Sequence, residues 1–196
     1  KPPFPFSPGG EIAGEVIDVG EGVTHLKPGD RVMAITYHGG LAEEVCVPAA
    51  AVIPLPSSMD FTTAAAFPLA YGTSHIGLAH RGKLQAGETL LVLGAAGGMG
   101  LTAVELGKLL GATVIAAAST PEKLALTQQY GADHVINYST ENIRDRIKEI
   151  TGGKGVNVVY DPVGGDLFEP CLRSTAWEGR YLVIGFTSGT IPQVPV

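Results

Sequence analysis

From residue 90 onward the chain repeats one pattern: a short apolar run, a turn, and a segment whose apolar residues recur at helical spacing. The apolar runs predict strands at residues 90–93, 113–117, 134–137, 156–160 and 181–185. Helices are predicted between them, over residues 101–110, 121–130, 141–150 and 166–176. Strands joined by crossovers of this length run parallel and carry helices on both faces. The pattern therefore predicts an α/β fold with a doubly wound parallel sheet.

Two of these helices carry clear local signals. Thr120 is a good N-cap and Pro121 is suited to the first helical position, because proline has no N–H group to satisfy there. In the third helix, Ile143, Ile147 and Ile150 recur at i, i+4 and i+7, which predicts one apolar face turned toward the sheet.

Residues 1–56 have a different pattern, in which apolar and polar residues alternate over short stretches. The alternation predicts strands over residues 11–20, 29–36 and 42–48, and the Gly, Pro and Asp residues between them indicate turns. This organisation is typical of a small barrel or sandwich, with Cys46 in its core. Residues 60–81 are rich in alanine and predict helix, with Asp60 as N-cap and Pro68 as an interruption.

The segment LLVLGAAGGMG at residues 90–100 places a glycine-rich turn between the first predicted strand and helix of the parallel sheet. Such a unit is typical of dinucleotide-binding folds, because a pyrophosphate reaches the helix N-terminus only where no Cβ blocks it. Gly97 and Gly98 would admit the phosphates, and Gly100 would let the helix pack closely. The spacing differs from the commoner G-x-G-x-x-G, so a turn that serves packing alone stays an alternative.

Composition and charge exclude some classes of function. The chain has 196 residues and a net charge of −6, with no basic stripe, which argues against nucleic acid as a partner. Its two cysteines lie far apart and are expected to be reduced thiols of a cytoplasmic protein. The sequence contains no signal peptide, lipidation motif or long apolar run, so no membrane association is expected.

The motifs together resemble those of the zinc-independent quinone oxidoreductases, the zeta-crystallin-like branch of the medium-chain dehydrogenase/reductase superfamily. They span nearly the whole chain in the family's order: PGGEIAGEVIDVGEGV (8–23), KPGDRV (27–32), FPLAYGTS (67–74), LVLGAAGGMG (91–100), GADHVINY (131–138), TGGKGVNVVYDPVGG (151–165) and GRYLVIGFTSG (179–189). The resemblance implies a GroES-like β-barrel portion over residues 1–68 and a Rossmann domain over residues 69–196. On this resemblance, the barrel portion is expected to be incomplete relative to the family and the Rossmann domain to lack its last strand.

The resemblance also indicates that no zinc is bound. Gly10 stands where zinc-dependent relatives have a histidine ligand, and Leu69 stands where they have a cysteine ligand. Neither side chain has the N, S or O donor that zinc requires. His75 and His80 are five residues apart, a spacing that places them on different faces of an α-helix.

The resemblance implies NADPH as the cofactor. Ala118 replaces the acidic residue that would bind the ribose of NADH, so no carboxylate repels a 2′-phosphate. Ser119, Lys123 and Tyr138 would surround that phosphate, although Lys123 as a solvated helix residue and Tyr138 as a loop cap are the ordinary alternatives. The other implied contacts are Thr73, Ala96, Gly97, Gly98, Met99, Pro162, Ile184, Gly185, Phe186 and Thr187. For Pro162, a role as a turn former is nearly as good an explanation.

The predicted activity is hydride transfer from NADPH to a quinone or a related α,β-unsaturated carbonyl compound. Such a reaction needs positioning, exclusion of water and stabilisation of the negative charge on the acceptor oxygen. Enoyl-thioester reduction and a nucleotide-binding but non-catalytic protein of crystallin-like or regulatory type are the alternatives, and no catalytic residue is assigned. The expected partner is a small-molecule quinone or enone, and the resemblance leaves homodimer and homotetramer open.

Overall fold

An antiparallel sheet forms the framework of the first part of the chain. The computed structural model describes residues 2–194, which divide into two compact units between Gly72 and Thr73. In the first unit, β1 (Glu11–Glu15), β2 (Arg31–Ile35) and β3 (Val52–Pro54) lie in that order in one three-stranded sheet. A 3₁₀ turn, Ala49–Ala51, leads into β3. The division into portions 1–68 and 69–196 stays a prediction.

One predicted strand of this unit is wrong. Residues 42–48 form no strand, and Cys46, expected in the core, is exposed. Alternation becomes a strand only where a neighbouring strand supplies hydrogen bonds and packing, and no described strand pairs with this segment. The third strand of the sheet is instead β3, which pairs with β2 so that Met33 lies opposite Ile53.

The predicted helical segment folds as two short helices, α1 (Phe61–Ala65) and α2 (Pro68–His75), followed by a π-helix, Ile76–Arg81. Asp60 is the N-cap of α1, since its Oδ1 accepts a 2.8 Å hydrogen bond from Thr63 N. The helix breaks before Pro68, as predicted.

The separation predicted for His75 and His80 is wrong. Their ring centroids lie 5.5 Å apart in an edge-to-face arrangement. The reason is the π-helix that follows α2, in which hydrogen bonds span five residues, as in the 2.7 Å bond from Gly82 N to Gly77 O. Residues five apart then lie on one face of the helix.

The second unit contains a parallel sheet of five strands in the order β6-β5-β4-β7-β8. Their bounds are β4 (Thr89–Val92), β5 (Thr113–Ala118), β6 (His134–Asn137), β7 (Val156–Asp161) and β8 (Thr175–Val183). The chain moves outward from β4 through β5 to β6 and then returns to β7 beside β4. The strand order therefore reverses between β4 and β7, and open parallel sheets bind ligands outside the carboxyl ends of strands at such a point.

Helices cover both faces of this sheet. They are α3 (Gly98–Leu109), α4 (Pro121–Gln129), α5 (Ile143–Ile150) and α6 (Phe168–Leu172). Leu90 and Val92 of β4 pack with α3 in one core cluster, while Leu91 packs with Ile143 and Ile147 of α5 in the other. The predicted N-cap Thr120 and the apolar face of α5 are confirmed.

The last helix is shorter than predicted, and the last strand begins earlier. Instead of residues 166–176, a 3₁₀ turn (Gly165–Leu167) and the five-residue α6 occupy the crossover. The Ser174 hydroxyl donates to Pro170 O at 2.8 Å and the Thr175 hydroxyl donates to Cys171 O at 3.1 Å. Both hydroxyls thus bind carbonyls of the last turn of α6, and Thr175 already pairs with Val156 of β7.

Candidate cofactor site

The glycine-rich turn lies directly after β4, at the carboxyl ends of the strands and beside the point where the strand order reverses. Gly97 and Gly98 are both exposed. The N-cap residue of α3 is Gly97, which has no side chain that could accept a hydrogen bond from the first N–H groups of the helix. An exposed, uncapped helix N-terminus with its positive dipole end is suited to an anion such as a pyrophosphate.

The glycines of this turn have different structural roles. A Cβ on Gly100 would lie 2.4 Å from Gly94 O and 2.6 Å from the backbone of Ala95, so only glycine allows α3 to approach the turn. A Cβ on Gly98 would meet no atom within 4 Å. The predicted packing role of Gly100 is therefore confirmed, while the absence of a side chain at Gly98 relieves no contact within the unit.

The end of β5 brings together residues predicted to bind a 2′-phosphate. Ala118 is 2% exposed, and the backbone of Tyr138 is tied to it by a 3.2 Å hydrogen bond from Tyr138 N to Ala118 O. Lys123 Nζ donates to Ser119 Oγ at 3.1 Å. An ammonium group and a hydroxyl thus meet at the end of a strand that carries no carboxylate at residue 118.

The loops after β7 and β8 also meet at this edge of the sheet. Ile184 N donates to Asp161 O at 2.8 Å, and Thr187 N donates to Pro162 O at 3.1 Å. Pro162 is buried, whereas Phe186 is 37% exposed. The structure therefore places the predicted residues 184–187 along Pro162.

Asp161 organises these loops, a role that was not predicted from the sequence. Its carboxylate is 1% exposed and accepts hydrogen bonds from Val163 N at 2.7 Å, Gly164 N at 2.8 Å and the Tyr181 hydroxyl at 2.7 Å. Burial, together with the hydrogen bond to Asp161, raises the pKa of Tyr181, which keeps this phenol a proton donor. Burial and the nearby Asp161 charge raise the pKa of Cys171 to about 12.

Three buried hydroxyl groups beneath the glycine-rich turn were missed as well. Ser74, Thr102 and Tyr160 come from three different elements, and the Ser74 hydroxyl lies 2.8 Å from each of the other two. In the sequence they stand far apart, in segments that otherwise have the composition of helix and strand. Two predicted cofactor contacts adjoin this cluster. Thr73 precedes Ser74 in the chain, and Met99 O lies 3.3 Å from Ser74 Oγ.

The residues at the family's zinc positions do not fit a zinc ion. Gly10 has no side chain to donate to a metal, and the Leu69 side chain is apolar. The backbone N–H of Leu69 is engaged by the Glu11 carboxylate, at 2.8 Å from Oε1. Within the part of the chain that the structure describes, no three His, Cys, Asp or Glu side chains are grouped so that they could hold a metal.

Comparison with known proteins identifies the family. Residues 98–196 match the family described as zinc-binding dehydrogenase, and residues 1–57 match the alcohol dehydrogenase GroES-like domain. The quinone oxidoreductase-like protein 2 homolog of Nematostella vectensis is 50% identical, over 100% of this chain and 54% of its own length. The chain belongs to the medium-chain dehydrogenase/reductase superfamily, among its quinone oxidoreductase-like members.

Solved structures agree with this assignment. The Escherichia coli quinone oxidoreductase complexed with NADPH matches with a TM-score of 0.93 and 38% identity, over 100% of this chain and 60% of that one. The CurK enoyl reductase matches with a TM-score of 0.85 and 33% identity, over 92% of this chain and 54% of that one. The chain thus spans little more than half the length of such relatives. No helix in residues 2–194 is long and apolar enough to cross a membrane.

Proposed function

We propose that this chain binds NADPH and that the protein transfers a hydride from it to a quinone or a related α,β-unsaturated carbonyl compound, without zinc. The observation that carries the proposal is the exposed, uncapped N-terminus of α3 at Gly97 and Gly98, placed where the strand order reverses. The similarity to a quinone oxidoreductase that binds NADPH supports the choice of cofactor and substrate.

Each cofactor contact is assigned by position. The pyrophosphate would lie against residues 96–99, where backbone N–H groups act as donors without side-chain obstruction. Thr73, Pro162 and residues 184–187 would border the nicotinamide. When bound, NADPH supplies the hydride, and the loops held by Asp161 would keep water from the reacting atoms.

Ser119 and Lys123 make NADPH the preferred form of the cofactor. Their 3.1 Å contact sets a cation beside a hydroxyl, and a dianionic 2′-phosphate can accept hydrogen bonds from both. Tyr138 would add a phenol donor from the loop after β6. NADH lacks this phosphate and would gain nothing from the same groups.

Lys123→Ala should weaken NADPH binding about tenfold while NADH binding stays within about twofold, since a charge-assisted hydrogen bond contributes roughly 1.5–3 kcal/mol. Titration calorimetry with both nucleotides measures the two affinities. Lys148→Ala is the matched control, because Lys148 is an exposed lysine on α5. Equal losses for NADPH and NADH would contradict the assignment of the 2′-phosphate site.

The reaction is tested by mixing the protein with NADPH and 1,4-benzoquinone or a naphthoquinone and following the nicotinamide absorbance. We expect NADPH to be oxidised only when quinone is present, at a rate that an added chelator does not lower. Cofactor binding without turnover of any acceptor would instead establish a non-catalytic nucleotide-binding protein. Loss of activity with chelator, restored by zinc, would overturn the zinc-independent mechanism.

Enoyl-thioester reduction is the second candidate, because the CurK enoyl reductase shares the fold at 33% identity. A crotonyl thioester in the same assay separates the two activities. Preference for the thioester over both quinones would move the assignment to enoyl reduction. A cytoplasmic location and a homodimeric or homotetrameric state stay predictions from the sequence.

A further inference from the structure

Three hydroxyl groups from separate elements of the second unit meet beneath the first turn of α3. Ser74 comes from the end of α2, Thr102 from the second turn of α3, and Tyr160 from β7. The Ser74 oxygen lies 2.8 Å from both Thr102 Oγ1 and the Tyr160 hydroxyl. Ser74 and Tyr160 are 0% exposed and Thr102 is 7% exposed, so protein groups rather than bulk solvent must satisfy these hydroxyls.

The hydroxyls of Ser74 and Thr102 both reach backbone carbonyls in the first turn of α3. Thr102 Oγ1 donates toward Met99 O at 3.0 Å and Gly98 O at 3.2 Å, and Ser74 Oγ lies 3.3 Å from Met99 O. The Tyr160 hydroxyl is linked to these carbonyls through Ser74, and in each 2.8 Å hydroxyl pair either oxygen can be the donor. Burial raises the pKa of Tyr160, so the phenol stays protonated. The chain of hydrogen bonds runs from β7 to the first turn of α3.

The two carbonyls at its end belong to the residues whose N–H groups face the proposed pyrophosphate site. A hydrogen bond to the Gly98 or Met99 carbonyl fixes the tilt of the adjoining peptide groups, and with it the aim of their N–H donors. Ser74 also adjoins Thr73, the residue proposed to lie near the nicotinamide. A single buried hydroxyl therefore connects two ends of the proposed cofactor site.

We infer that the Tyr160 hydroxyl is a positioning residue for NADPH, acting through Ser74 and Thr102 on the first turn of α3. The inference rests on the proposed function, because it concerns the same site. Pre-formed donors bind a ligand more tightly than donors that must be ordered on binding.

A purely structural role would involve the Tyr160 ring rather than its hydroxyl. The ring packs against the π-helix, where a Cβ built on Gly77 would lie 3.4 Å from Tyr160 Cε2. Phenylalanine keeps this contact and removes only the oxygen. Tyr160→Phe therefore separates packing from positioning.

The test measures NADPH affinity by titration calorimetry and stability by thermal melting for Tyr160→Phe and Ser74→Ala. Ser174→Ala is the matched control: this serine is also buried and donates one hydrogen bond, to Pro170 O at 2.8 Å, but it precedes β8 at the other end of the strands. We expect Tyr160→Phe to weaken NADPH binding roughly threefold to tenfold, the equivalent of about one hydrogen bond. Ser174→Ala should lower the melting temperature and leave affinity unchanged.

Amide spectra provide a second readout that needs no cofactor. In Tyr160→Phe the N–H resonances of Gly97, Gly98 and Met99 should shift, while in Ser174→Ala they should not. Unchanged NADPH affinity in Tyr160→Phe, or equal loss of affinity in Ser174→Ala, would overturn the inference. If the unsubstituted protein binds no NADPH, the proposed function fails first, and unshifted resonances would then overturn the positioning role as well.

Discussion

Gly100→Ala should lower the free energy of unfolding of the second unit by about 3 kcal/mol, near the upper end of overpacking costs. The added Cβ would lie 2.4 Å from Gly94 O and 2.6 Å from Ala95 backbone atoms, which belong to the turn itself and cannot rotate away. Either α3 moves outward or the turn unfolds, and both separate α3 from β4. Urea unfolding followed by circular dichroism measures the loss.

Gly98→Ala is the matched control for this substitution. Its Cβ meets no atom within 4 Å, and alanine in place of a helical glycine stabilises a helix by about 0.5–1 kcal/mol. We expect unchanged or slightly greater stability, with NADPH binding weakened more than about tenfold because the methyl group occupies the approach of the pyrophosphate. Wild-type stability in Gly100→Ala would contradict the packing role, and full NADPH affinity in Gly98→Ala would contradict the position of the pyrophosphate.

Asp161→Ala should cost about 3–5 kcal/mol of unfolding free energy, because each buried donor left without an acceptor costs roughly 1–3 kcal/mol. The substitution removes the acceptor for three donors: Val163 N, Gly164 N and the Tyr181 hydroxyl. The loop that follows β7 would lose its anchor, and NADPH affinity should fall with it. Chemical denaturation and calorimetry on the same preparation measure both effects.

Asp166→Ala serves as the control for Asp161→Ala. Asp166 is an exposed carboxylate five residues further along the same loop, and its removal should change stability by no more than about 0.5 kcal/mol. The loss of stability in Asp161→Asn should lie between the losses in Asp161→Ala and Asp166→Ala, since the amide oxygen can still accept hydrogen bonds from the loop N–H groups. A similar, small loss for Asp161→Ala and Asp166→Ala would show that the buried carboxylate does not hold the loop.

The parallel sheet was predictable because its signals are local. Leu90 and Leu91 point to opposite faces, and both are fully buried, which is why the run contains no polar position. The N-cap at Thr120 and the spacing of Ile143 and Ile147 are equally local. Such signals predict the elements and their order, and the order predicts the edge where the ligand site lies.

The errors arise where contacts between distant residues decide the structure. Apolar and polar residues alternate over residues 42–48 as they do in a strand, but no described strand pairs with this segment. The helix α6 ends early, and Thr175 pairs with Val156 of β7, a contact between distant residues that composition does not reveal. The meeting of His75 and His80 depends on a π-helix, whose five-residue hydrogen bonds the pattern of apolar residues does not reveal.

The candidate site shows the same division. The glycine-rich turn, and the absence of a carboxylate at residue 118, can be predicted from short stretches of the sequence. The roles of Asp161 and Tyr160 depend on partners 20 and 86 positions away, at Tyr181 and Ser74. Asp161 also accepts from Val163 N and Gly164 N within its own segment, but its bond with Tyr181 and the bond between Tyr160 and Ser74 join distant segments that only folding brings together.

The unequal surroundings of the two thiols have a practical consequence. Cys171 is fully buried and its pKa is raised to about 12, so near neutral pH it stays protonated and inaccessible to alkylating reagents. Cys46 is exposed. A maleimide dye would therefore mark the first unit alone in the folded protein, and the appearance of a second reactive sulfur would report that the second unit has opened.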